Sequence, residues 1–309
     1  MLIRVLNHFF AYGTPLNTVL SSRSHSKYND ALRQLQSEYQ QRNQALPKRF
    51  VIFNFPRSGS NFLCTMLNNH PDILCHQELF NPGRIFYARD FHTLLNGGSE
   101  EGATPWEDLI YGKGDFSTKG QRDLDPEKFL MRIWQHSYDY RAVGFNLFPT
   151  HVPNMAPSLW QDEEVKKILL IRKNKVKSYV SRAIARKTNV WADYSNKSSK
   201  PEKTKQPTVK VNVQNLISWS RKYDEYFQYL RCELDRLGQP FFEVTYEELV
   251  GESSDYVKER MLDFIGIPPK VDTLQPLNKR QSSKKLSALV SNYDELEKGL
   301  KGTELEVFL

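Results

Sequence analysis

The stretch FVIFNFPRSGSNFLCTML, residues 50–67, decides the fold. Its opening run of Phe, Val and Ile predicts a strand at 50–55, buried on both faces. Pro56 ends the run, Gly59 supplies a turn, and the residues after it predict a helix over 60–69. A strand that turns through glycine into a helix aims backbone N–H groups and a helix N-terminus at one point, which makes a cradle for an oxyanion. Within that turn Gly59 lets the backbone approach a ligand, Ser60 is placed to cap the helix, and Arg57 offers a planar fork of donors. The GxxxxGK[ST] spacing of an ATP or GTP loop is missing.

Outward from this unit, strands and helices alternate, as in a parallel sheet covered on both faces. Strands are predicted at 50–55, 141–148, 165–171 and 240–246, and helices at 60–69, 174–188, 212–237 and 254–264. In the 212–237 segment Leu216, Trp219, Tyr223, Tyr226, Phe227, Leu230 and Leu234 recur at helical spacing and read as core packing without function. Residues 48–309 read as the domain and 1–47 as an N-terminal extension. The extension holds the polar DALRQLQSEYQQ, an exposed helix before Pro47. The chain's first twenty residues are broken by Arg4, Asn7, His8 and Pro15, too polar for a spanning helix. A surface extension is expected there, with peripheral contact to a membrane as the alternative. Residues 195–210, rich in Ser, Lys and Pro, read as a mobile loop.

The formal charge of +7 suits an anionic ligand, a nucleic acid or a membrane surface about equally, so position must decide among them. The three cysteines, Cys64, Cys75 and Cys232, form no CxxC pair. They indicate neither a disulfide framework nor a zinc site, and fit a reducing, cytoplasmic compartment. No His/Asp/Glu pair falls at metal-ligand spacing with support elsewhere, so no metal is expected. His70 and His76 occupy turn positions and read as structural.

A second basic element lies far along the chain. In KKILLIRKNKVKSYVSRAIARK, nine of the 22 residues from Lys166 to Lys187 are Lys or Arg, and most read as a solvated face. Arg172 differs because it stands at the carboxyl end of a predicted strand, where open α/β sheets bind ligands. The helix after it has an apolar face of Val176, Tyr179, Val180, Ala183 and Ile184, with Ser178 almost opposite, as a surface serine.

The 50–67 stretch resembles the 5′-phosphosulfate loop of sulfotransferases that use 3′-phosphoadenosine 5′-phosphosulfate. The likeness runs in ordered pieces over 48–309 and is nearest to the bacterial and carbohydrate-directed members. It implies a P-loop-like three-layer α/β fold, with a central parallel sheet flanked by helices. It also implies transfer of a sulfuryl group to a hydroxyl of a small molecule, sugar or glycolipid, with no nucleic-acid partner and no metal. Carried over residue by residue, it gives Arg57, Ser58, Gly59, Ser60, Asn61 and Phe62 to the phosphosulfate and adenine. Arg172 and Ser181, nine positions on, fall to the 3′-phosphate, Tyr246 in EVTYEELVGE to the adenine side, and Lys279 or Arg280 to the 3′-phosphate. Arg57, which holds its proton, would stabilise charge on the leaving oxygen electrostatically.

Two residues compete to take the acceptor's proton. Glu78, in HQELFNP, matches a Gln-Glu stretch whose glutamate is the base in bacterial carbohydrate sulfotransferases, and needs burial to raise its pKa from ~4.3. His151, in FPTHVP, resembles the Thr-His-x-Pro of cytosolic members, and imidazole titrates near ~6.5 untuned. Glu78 ranks slightly ahead because the pattern around it is longer. Two other readings remain: a P-loop nucleotide kinase or NTPase, opposed by the missing Gly-Lys-[Ser/Thr], and a nucleic-acid-binding protein using the 166–187 helix.

Overall fold

The computed structural model describes residues 22–88, 119–137, 139–154, 157–189, 207–274 and 285–309. Its centre is a five-stranded sheet in the order β2-β3-β1-β4-β5, with β1 Lys48–Asn54, β2 Ile73–His76, β3 Ala142–Leu147, β4 Val165–Ile171 and β5 Phe241–Thr245. Every pairing is parallel; Ile52 of the central strand lies between Asn146 and Ile168. The described helices are α1 Ser22–Gln41, α2 Ser60–Leu67, α3 Lys119–Leu124, α4 Pro126–Gln135, α5 Lys175–Thr188, α6 Val213–Arg236, α7 Tyr246–Val250, α8 Ser254–Ile265 and α9 Tyr293–Leu300.

Alternation along β1 builds two cores. Val51 and Phe53 face one side, where α1, α4, α5, α6 and α9 pack; Phe50 and Ile52 face the other, against α2 and α8. The result is the three-layer α/β architecture. Gly144 on β3 is required because the ring of Phe50 lies across it, 2.3 Å from where a Cβ would stand. The four-residue edge strand β2 is secured by a side chain: Asn68 accepts from Cys75 N–H and donates to Cys75 C=O, both at 2.7 Å, in the manner of a neighbouring strand. Local signals agree with the fold. Asp125 and Pro126 start α4, Asn174 caps α5, Asn212 caps α6, and Thr245 with Glu248 forms a capping box on α7.

The polar N-terminal helix is exposed on one side but docked on the other. α1 buries Tyr28, Leu35 and Tyr39 in the larger core; the Tyr28 hydroxyl donates to Asp162, and that of Tyr39 to the Trp134 carbonyl. The same Asp162 pairs with buried Arg49 at 2.8 Å, and Arg49 lies 4.9 Å over the Trp134 ring. Its apolar stripe is thin, yet each aromatic has a polar partner at its tip, which lets a mostly polar helix dock. Not every charge of the 166–187 run is solvated: Lys167 is buried, its ammonium donating to the Asp162 carbonyl and Gln239 Oε1.

Of the 195–210 loop, 195–206 lies outside the described residues. Residues 207–210 are tied down: Val209 pairs in parallel with Val290, and Lys187 Nζ donates to the Thr208 carbonyl at 2.9 Å. Just beyond, the Asn292 amide brackets Val211 through two 2.9 Å bonds.

Candidate active site at the carboxyl edge of the sheet

Because all five strands run the same way, their carboxyl ends share one edge, where open α/β sheets bind ligands. Just beyond those ends lie, in spatial order, Glu78 after β2, His151 after β3, the Pro56–Gly59 turn after β1, Arg172 after β4 and Tyr246 after β5. Five separate stretches of sequence therefore meet in one row.

The turn is built from constrained backbone. Arg57 has φ 72° and Gly59 φ 98°, both in the left-handed region that L side chains avoid. Gly59, not Ser60, is the N-cap of α2. Ser60 sits in the first turn, buried, and the helix has no side-chain cap. The reading of Ser60 as the cap is thus corrected, since the left-handed glycine already reverses the chain one residue earlier. The first N–H groups of a helix have no intrahelical partner, so an uncapped, glycine-led α2 presents donors toward the turn.

Neighbouring elements hold the strained arginine. Ser178 on α5 donates to the Arg57 carbonyl at 3.1 Å, and Arg57 Nε donates to Ser181 Oγ at 3.0 Å. Ser178 is fully buried beneath the turn, which corrects its reading as a surface serine: the side of α5 away from the apolar stripe is covered by the 56–59 loop. Beneath the same loop, Tyr223 of α6 accepts from Arg172 N–H at 2.6 Å and stands 3.5 Å from Ser58 Oγ. One hydroxyl from the helical core stripe thus joins both halves of the site. The signal was a tyrosine in an apolar face, whose buried hydroxyl must find a partner.

Tyr246 links the rest. Its ring lies 4.0 Å from the Arg172 guanidinium and 5.4 Å, edge-on, from Phe62; a Cβ on Gly59 would stand 2.4 Å from Cδ2 of that ring. The Glu247 carboxylate stands 3.3 Å from Arg172 Nε and accepts from the N–H groups of Lys173 and Asn174. Burial and the nearby charge of Arg172 together lower the pKa of Arg57. The two arginines, 115 positions apart in sequence, therefore share one electrostatic neighbourhood suited to a polyanion. Asn61 lies in the first turn of α2; Lys279 and Arg280 fall outside the described residues.

The two competing bases stand together. His151 Nε2 is 3.5 Å from Glu78 Oε2, and Asn81 Nδ2 donates to that same oxygen at 2.7 Å. Burial pushes the Glu78 carboxyl up, opposed by the Asn81 bond, while burial and then the charge of Arg122 pull His151 down to about 3. Arg122, fully buried on α3, donates to the carbonyls of Leu79 and Asn81 and so fixes the turn that carries Glu78. Neither Asn81 nor Arg122 was found from sequence; Asn81 lies three positions after the glutamate in a loop with no periodic pattern. His70 and His76 have structural bonds, their Nδ1 atoms accepting from Asp72 N–H and Ala88 N–H. Among the described residues no group of three or more His, Cys, Asp or Glu could hold a metal, and no helix is long and apolar enough to cross a membrane.

The chain is 25% identical over 259 residues to Nodulation protein H of Rhizobium tropici, covering 83% of this chain and 90% of that protein. It is 24% identical over 253 residues to Nodulation protein H of Rhizobium meliloti (strain 1021), covering 81% and 90%. The crystal structure of sulfotransferase STF9 from Mycobacterium avium aligns at a TM-score of 0.38 and 11% identity, over 92% of this chain and 86% of that one. The family model described as Sulfotransferase domain matches residues 47–309, and the chain belongs to that family.

Proposed function

We propose that this sulfotransferase moves the sulfuryl group of 3′-phosphoadenosine 5′-phosphosulfate to a hydroxyl of a carbohydrate or glycolipid. The observation that carries the reading is the row of strand ends, in which the Arg57–Gly59 turn and Arg172 share one neighbourhood and the Glu78 carboxylate lies on the opposite flank. In this reading the α2 amides with Arg57, Ser58, Gly59, Ser60 and Asn61 take the phosphosulfate. Arg172 and Ser181, with Lys279 or Arg280, take the 3′-phosphate, and Phe62 and Tyr246 face adenine. The uncapped helix, the glycine approach and the paired guanidinium groups fit such a ligand.

Glu78 acts as the base. Its carboxylate accepts the acceptor proton while the acceptor oxygen forms the new O–S bond. The S–O bond to the phosphate breaks, and its electron pair leaves with adenosine 3′,5′-bisphosphate. Arg57 steadies the charge developing on that oxygen. The carbohydrate or glycolipid acceptor is supported by the joint presence of Arg57 and Glu78, a pattern that resembles bacterial carbohydrate sulfotransferases. The three free thiols support a reducing, cytoplasmic setting.

Thermal melts with adenosine 3′,5′-bisphosphate, ATP and an oligonucleotide test the donor side. The bisphosphate is expected to raise the melting temperature and Arg172→Ala to abolish that rise. A rise with ATP alone, or with the oligonucleotide alone, would overturn the reading. A labelled-sulfate transfer screen against sugars, glycolipids and phenols then identifies the acceptor class.

A further inference from the structure

Resting on the reading of Glu78 as the base, we infer that Asn81 and His151 are positioning residues: they hold Oε2 of the Glu78 carboxylate and leave Oε1 to take the acceptor's proton. Both contacts fall on one oxygen, Asn81 Nδ2 at 2.7 Å and His151 Nε2 at 3.5 Å. Among the described residues no donor reaches Oε1.

The direction of each contact is set by a bond on the far side of its donor. Gly83 N–H donates to Asn81 Oδ1 at 2.8 Å, so the amide group must turn its NH₂ toward the carboxylate. Phe148 N–H donates to His151 Nδ1 at 3.3 Å, so that nitrogen carries no hydrogen and the neutral ring keeps its proton on Nε2, facing Oε2. Burial and Arg122 keep the ring neutral. An imidazole in this tautomer has its one lone pair occupied by a backbone N–H, and it has no free nitrogen with which to accept a proton. The two candidate bases are therefore one device, a carboxylate that reacts and a ring that steers it.

The frame around the pair is rigid. The N–H groups of Asn81 and Phe86 both donate to the Glu78 carbonyl, and Arg122 clamps the carbonyls of Leu79 and Asn81. Arg122 is the charged group facing the pair from α3 and is itself paired with Asp123 at 2.6 Å. Donors to a carboxylate stabilise its ionised form, so Asn81 and His151 also keep part of the carboxylate ionised against its burial. In the transfer step the acceptor O–H bond breaks toward Oε1, the oxygen's electron pair forms the O–S bond, and the phosphate oxygen leaves with the S–O pair.

The test is a direct titration of the Glu78 carboxyl by ¹³C NMR on the full chain, assigned with Glu78→Gln and accompanied by thermal melts to show folding. Asn81→Ala is expected to raise the midpoint by about one pH unit. His151→Phe is expected to raise it by less, and His151→Gln, which places an amide N–H near the position of Nε2, to restore it. A folded Asn81→Ala protein with an unmoved midpoint overturns the inference, and this variant stands even if His151→Phe does not fold. In sulfate transfer, the acidic limb of kcat/KM should move by the same interval, whereas a merely structural role would lower the rate at every pH without moving the limb. Activity abolished by His151→Gln but retained by Glu78→Gln would also overturn it, giving the proton to the histidine. If the wild-type chain neither binds adenosine 3′,5′-bisphosphate nor transfers sulfate, the proposed function fails, and the titration still decides the pairing.

Discussion

At Gly59 two constraints coincide: the backbone has φ 98°, and a methyl group there would stand 2.4 Å from the Tyr246 ring. Gly59→Ala is expected to destabilise the protein by about 1–3 kcal/mol through the backbone alone and to displace Tyr246. Adding Tyr246→Ala should relieve the contact and leave the backbone strain, so the double variant should recover part of the melting temperature. Titrating groups at this scale pull stability in opposite directions. His151 is held at about 3, below its ordinary ~6.5. Its contribution is therefore full above the unfolded value and is lost as pH falls from ~6.5 toward 3. Glu78 is raised, so its contribution is full below ~4.3 and is lost as pH climbs through the folded value. Melting temperature against pH should accordingly flatten on the acid side in His151→Gln and flatten at higher pH in Glu78→Gln.

Among the elements, α6 does more than fill the core. Tyr223→Phe removes the hydroxyl that accepts from Arg172 N–H in a part-buried setting, at a cost of about 0.5–1.5 kcal/mol. It is expected to weaken binding of adenosine 3′,5′-bisphosphate, measured by calorimetry, without moving the Glu78 titration. The contrast between legible and illegible elements has a physical basis. β1, β3, β4, β5, α2, α5, α6 and α8 all lie within two residues of their predicted bounds, because each carries a run rich in apolar residues or an apolar helical stripe. β2 was missed: four residues are too few for a period, and what secures them is the Asn68 side chain rather than a pattern of their own. α4 was missed although its Asp125-Pro126 start was readable. At the site, the cradle and Arg172 were visible because strand ends and glycine turns have sequence signatures. The pairing of Glu78 with His151 was not, since it depends on β2 and β3 being neighbours, and β2 was absent from the reading.

Across the whole molecule, the N-terminal helix and the sheet are joined at Asp162, which takes both Arg49 and the Tyr28 hydroxyl in a nearly dry setting. Asp162→Asn leaves Arg49 as a buried charge without its counter-ion, which is expected to cost about 3–5 kcal/mol. Chemical denaturation should register that loss, and removal of residues 1–41 should lower stability similarly by exposing Trp134 and its neighbours. A different kind of consequence follows from the ammonium of Lys187 meeting the carbonyl of Thr208. That contact brings the two ends of an intervening stretch of chain together like the clasp of a purse. Joining ends already held close means that a longer or shorter insert changes the closure entropy only slowly with its length. This junction is therefore where an insert of a different length could be accommodated without disturbing the sheet.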